Sequence, residues 1–158
     1  MIKIENKEML LYSVNKSINN VAEVQNHADT SDSETYYTIG TAIHWTVDCI
    51  DRIPAEILQD DTHKDLFRAI RCVNNCLKHN RTFKSNHNVR GFSFPFSSEV
   101  KFGNYFVWAE LDEIEVSKKY KDNFEKSKEC YDRLLRGNEV FKTLRDIEDI
   151  IKIYYSKL

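Results

Sequence analysis

Apolar side chains recur at steps of three and four along most of this chain, a spacing that predicts amphipathic helices. From about Asn6 to Ala28, Leu11, Val14, Ile18, Val21 and Val24 or Gln25 line one stripe. The polar break Asp29-Thr30-Ser31-Asp32-Ser33 supplies N-cap residues for a second helix, expected from about Glu34 to Arg52. Its core candidates are Tyr36 or Tyr37, Ile39, Ile43, Trp45, Val47 and Ile50, and Pro54 marks its end or a new start. A third helix is expected from about His63 to Asn80, capped by Asp60, Asp61 or Thr62, with Leu66, Ile70, Val73 and Leu77 as its buried face. The period then changes to two. Phe92, Phe94, Phe96, Val100 and Phe102, followed by Tyr105 and Val107, predict a hairpin turning on Gly103-Asn104, with Pro95 at an edge. Two helices close the chain, from about Glu113 to Arg136 and from about Glu139 to Lys157. The first turns Tyr120, Phe124, Tyr131 and Leu134 or Leu135 inward; the second turns Val140, Leu144, Ile147, Ile151 and Tyr154. Gly137 suits the position after a helix end and Asn138 an N-cap. The expected fold is therefore mainly α: a bundle of about five helices with one β-hairpin between helices 3 and 4, a single domain over residues 1–158.

Composition narrows this picture in three ways. Four glycines and two prolines in 158 residues are too few for an all-β sandwich. No apolar run approaches the roughly 18 residues that span a bilayer, and the start, Met1-Ile2-Lys3-Ile4-Glu5, lacks an apolar signal core. These features lead to the expectation of a cytoplasmic protein without a membrane partner. The four cysteines, Cys49, Cys72, Cys76 and Cys130, fall within helical segments without zinc-knuckle spacing, and read as small buried thiols.

Net charge is only −2, but its distribution is uneven. Residues 1–61 carry 4 Lys/Arg against 11 Asp/Glu, whereas residues 62–104 carry 8 against 2. No acid occurs from Leu66 to Ser98, a stretch that holds Arg68, Arg71, Lys78, Arg81, Lys84 and Arg90. A single-sign field of this kind attracts anions, RNA or DNA among them, and Arg68, Lys78, Arg81, Lys84 and Arg90 are the candidate nucleic-acid contacts. Packing of the acidic N-terminal helices beside it would cancel part of that field.

Helix 3 also carries a chemical constellation. With Leu66 at zero on a wheel of about 100° per residue, Arg71, Asn75 and His79 fall at about 140°, 180° and 220°, opposite the apolar stripe. The bland reading is a solvated face whose basic residues suit the helix C-terminus. The chemical reading is a site: histidine titrates near neutral pH, and an asparagine between arginine and histidine can orient either.

This segment, Asn75-Cys-Leu-Lys-His79, resembles the end of the signature of the HEPN superfamily (higher eukaryotes and prokaryotes nucleotide-binding domains). The later pattern Gly91-Phe-Ser-Phe-Pro95-Phe, then Val107-Trp108 and Leu111-Asp112, is similar to a helical family with the same Leu-Lys-His-Asn helix end. The resemblance covers about residues 63–158. It implies a helical bundle, often dimeric, of a type frequent among metal-independent ribonucleases of toxin, abortive-infection and other defence systems. RNA would be the substrate and a homodimer the working form. Cleavage would proceed by attack of a 2′-hydroxyl on phosphorus, with His79 relaying the proton, Arg71 neutralising phosphoryl charge and Asn75 orienting His79 or the phosphate. The signature's arginine should directly precede Asn75, where Asn74 stands, and Arg71 lies one turn earlier. Two readings follow: Arg71 acts from that position, or the chain is a catalytically inactive helical module that dimerises or holds a protein partner. His27, His44, His63 and His87 show no metal-ligand spacing, and no Gly-rich phosphate loop occurs, so neither a metal nor a cofactor is expected. The aromatic hairpin reads as core or dimer surface.

Overall fold

A computed structural model of the chain describes residues 4–27, 29–78, 96–101, 103–111 and 118–158, with backbone alone at 96–101, 103–104 and 118. Its element order is α1 (Lys7–Asn26), α2 (Asp32–Asp51), α3 (Asp61–Lys78), β1 (Phe96–Lys101), β2 (Gly103–Trp108), a 3-10 turn (Lys118–Tyr120), α4 (Lys121–Leu134) and α5 (Val140–Tyr155). The mainly helical fold and the hairpin between helices 3 and 4 agree with the periodicity. The starts of α2 and α3 follow from local chemistry. Ser31 Oγ accepts from the backbone N–H of Glu34 at 3.1 Å, and Asp60 Oδ1 accepts from that of His63 at 3.1 Å. Each satisfies a donor that the first helical turn leaves open.

α1 lies along α2 and α3 along α4, while α2 also meets α3 and α5 packs on α1 and α2. One core joins them. Val14, Ile18 and Val21 of α1 meet Ile39, Ile43, Val47 and Ile50 of α2, Ile70 and Val73 of α3, Tyr131 of α4 and Leu144, Ile147 and Ile151 of α5. Hydrogen bonds fix the layers: Tyr155 Oη donates to the carbonyl of Cys49 at 2.8 Å and thereby ties α5 to α2. A buried carboxylate ties α5 to α1. Glu148 is wholly buried, accepts from Asn15 Nδ2 at 2.9 Å and pairs with Lys152 at 2.9 Å and with Arg145. Burial alone would raise its pKa, but these partners outweigh burial and hold the carboxyl below the ordinary glutamate value.

The antiparallel hairpin is anchored at the α4–α5 junction. The N–H of Trp108 donates to Asn138 O at 3.0 Å, and that of Gly137 to Trp108 O at 2.8 Å. Gly137 itself has φ 79°, the left-handed conformation that ends α4 as its sequence position suggested.

Several sequence expectations are corrected. Trp45 is 38% exposed and Tyr37 68%, because both point away from the Ile39–Ile43–Val47 stripe; Tyr36, in the first turn of α2, is 39% exposed. Tyr120 is also exposed: it belongs to the 3-10 turn before α4, so the helical period cannot carry it inward. The hairpin pairs Lys101 with Gly103 and Val100 with Asn104, so Gly103 and Asn104 are strand residues of β2 and not the turn. The N-cap of α5 is Glu139, while the Asn138 side chain donates back to Leu134 O at 2.9 Å. On α3, Leu66 and Leu77 are only partly buried. Phe67, Ile70 and Val73 form the centre of the buried face because α3 is packed on both flanks, by α2 and α4. Phe92, Phe94, Pro95 and the expected start of helix 4 at Glu113 lie outside the described residues.

Candidate functional site

The polar side of α3 stands open as its wheel predicts. Arg68, Asn75 and Lys78 are exposed, and the Arg71 side chain keeps 38% of its surface. His79, Arg81, Lys84 and Arg90 lie outside the described residues. Thus two of the five candidate nucleic-acid contacts, Arg68 and Lys78, and two of the three candidate catalytic residues, Arg71 and Asn75, have a described position.

Arg71 is held by a partner from α2, which the sequence did not suggest. Its Nε donates to Asp51 Oδ1 at 2.7 Å. The pair is well exposed on both sides and worth about 0–1 kcal/mol, so a phosphate can compete for the guanidinium. Among the described residues, Arg68 and Lys78 have no ion-pair partner.

Between α1, α2 and the exit of α3 lies a cleft of about 590 Å³, within the roughly 300–1,000 Å³ usual for small-molecule sites. Met9, Leu10, Trp45 and Val47 supply its apolar wall; His44, Asp48, Asp51, Arg52, Asn74 and Lys78 supply its polar groups. The charges largely compensate. Arg52 pairs with Asp48 at 3.2 Å and Arg71 with Asp51, which leaves Lys78 as the cation of the cleft lining that has no ion-pair partner among the described residues.

Asn74 lies where the HEPN signature would have its arginine, and it is 3% exposed. Its Oδ1 accepts a hydrogen bond from Nδ1 of His44, on α2. An amide oxygen can only accept, so Nδ1 carries a proton, and in the neutral ring Nε2 is the nitrogen with the free lone pair. The sequence reading missed both residues. A signal did exist: an asparagine about 80° from Leu66 sits at the margin of the apolar stripe, where a buried side chain needs a hydrogen-bond partner.

The cysteines are all free and buried. Burial raises the Cys49 thiol to about 11, and the hydrogen bond between Cys72 and Cys76, followed by burial, pushes Cys76 up strongly. Among the described residues, no three His, Cys, Asp or Glu side chains gather as a metal-holding cluster, and no helix is long and apolar enough to cross a membrane. No family model matches the chain, and no curated protein or solved structure matches it either.

Proposed function

We propose that this chain is a HEPN-like cytoplasmic RNA-binding protein that uses the exposed face of α3, and that its finer activity is metal-independent RNA cleavage in a defence or toxin-like role. One observation supports the reading above all: Arg68, Arg71 and Lys78 stand on the open side of one helix, next to a cleft that offers an imidazole. Phosphate oxygens would meet the cations, and Arg71 would exchange its exposed carboxylate partner for a phosphoryl group, whose oxygens its planar fork of donors matches. Asn75, exposed one turn beyond Arg71, would contact phosphate or ribose.

The test is incubation of purified protein with single-stranded RNA in EDTA, scored for both binding and cleavage. Binding should weaken with salt, by about 0.7 in the log–log slope for each phosphate contact. Arg71→Ala should weaken it further, while Asp51→Ala should strengthen it by releasing Arg71. Binding that responds to neither salt nor these substitutions would refute the reading.

The second reading, a dimerising interaction module, is favoured by a different observation. Met9, Tyr12 and Trp45 are large apolar side chains left 67%, 69% and 38% exposed, and Met9 and Trp45 border the cleft. Sedimentation of the wild type against Tyr12→Lys distinguishes a homodimer seated on that surface from a monomer.

A further inference from the structure

The RNA reading names a face but no described group that moves a proton. We propose that the α1–α2–α3 cleft binds a single nucleotide unit bearing a phosphate, with His44 as its proton-transfer group and Asn74 as the residue that positions His44. The RNA identity of the ligand rests on the reading above; the cleft and its imidazole do not.

The geometry carries the proposal. Asn74 is almost wholly buried, yet its amide oxygen points at an imidazole that is itself exposed. A buried amide that spends its oxygen on Nδ1 fixes both the ring orientation and the tautomer, as orienting partners do for working histidines. The lone pair on Nε2 is then left to accept a proton. Lys78, one turn beyond Asn74 on α3, brings a cation without an ion-pair partner among the described residues into the same cleft. Among the described residues, the titratable groups that line the cleft with His44 are Asp48, Asp51 and the C-cap residue Arg52 from α2 and Lys78 from α3, while α1 and its N-cap contribute Asn6, Met9, Leu10 and Ser13. The lining itself holds two carboxylates, Asp48 and Asp51, and two cations, Arg52 and Lys78; Arg52 pairs with Asp48, and Asp51 is taken by Arg71 from outside the lining, so Lys78 is left to meet an anion. Trp45 and Met9 add an apolar wall against which a base can lie.

With RNA in place, the 2′-hydroxyl gives its proton to His44 Nε2 as the O2′–P bond forms and the P–O5′ bond breaks. The departing 5′-oxygen takes a proton from water, and the imidazolium returns its own to the hydroxide so formed. The products are a 2′,3′-cyclic phosphate and a 5′-hydroxyl, and no metal or redox partner enters the balance.

The test uses the full chain labelled with ¹⁵N-histidine, with cytidine 3′-monophosphate as probe and His44→Gln to assign the resonance. The expected result is an Nδ1-protonated His44 in the free protein, with an Nε2 signal that moves on addition of the nucleotide. Lys78→Ala should weaken binding about tenfold. Asn74→Ala should mix the tautomers and Asn74→Asp should restore Nδ1 protonation, a difference that a purely structural Asn74 would not produce. His44→Gln, at an exposed position, should fold and lose RNA cleavage. An Nε2-protonated His44 in the wild type, or a His44 signal indifferent to the nucleotide, overturns the proposal without recourse to any variant. If RNA is bound and cleaved while His44 stays unmoved, this inference fails and the RNA reading stands. If the nucleotide moves His44 while RNA is neither bound nor cut, the RNA reading fails and the cleft stands.

Discussion

The Glu148 network should be the pH-sensitive clamp of the fold. Glu148 is wholly buried on α5, yet its carboxylate reaches Asn15 on α1 as well as Lys152 and Arg145 on its own helix. Glu148→Gln keeps the size and one acceptor but removes the charge, and turns an amide N–H towards donors. Hydrogen bonds to a charged group contribute roughly 1.5–3 kcal/mol each in buried settings. Lys152 and Arg145 retain 45% and 27% of their side-chain surface, so water recovers much of what they lose, and the substitution should cost about 2 kcal/mol near pH 7. For a chain of this size that is roughly 4–8 °C in Tm.

The sign with pH follows from the direction of the shift. Partners that outweigh burial hold the folded-state carboxyl below its ordinary value of 4.5. The contribution is therefore fully present above the unfolded pKa and is lost as pH falls through the lower folded one. Urea unfolding of wild type and Glu148→Gln at steps from pH 7 to about 3 should give two stability curves that differ at neutral pH and converge in acid. A constant gap throughout, or no gap at pH 7, would show that the carboxylate's charge does not clamp α1 to α5.

Gly137→Ala should cost about 1–2 kcal/mol, because its φ of 79° is strained for any residue with a Cβ even though open space surrounds the position; thermal denaturation measures it, and an unchanged Tm would count against the left-handed turn. The four cysteines should resist a thiolate-seeking reagent at pH 8 in the native state and react only at the rate of unfolding, since all are buried and Cys49, Cys76 and Cys130 are shifted upward; rapid stoichiometric labelling would contradict their burial.

The sequence determined the elements of this protein because helix and strand are written in local periods. The α5 stripe of Val140, Leu144, Ile147, Ile151 and Tyr154 is buried throughout, and the switch to a period of two ahead of Trp108 marks the hairpin. It also placed Arg71 and Asn75 on the open side of α3, since a helical wheel needs only the helix. A period gives a direction, however, and not what stands opposite. His44 and Asn74 are 30 residues apart on different helices, and Arg71 and Asp51 are 20 apart. On α2, His44, Asp48 and Asp51 fall about 80–140° from Ile43, a side that would be solvent if α3 did not lie against it. Only the rotation and crossing of α2 and α3 turn that side into a cleft wall. The same packing buries Asn74 at the margin of an apolar stripe and supplies its partner, and it leaves Trp45, read as core from its type, on the rim. Burial, pairing and the state of an imidazole are properties of neighbours, and tertiary structure alone chooses them.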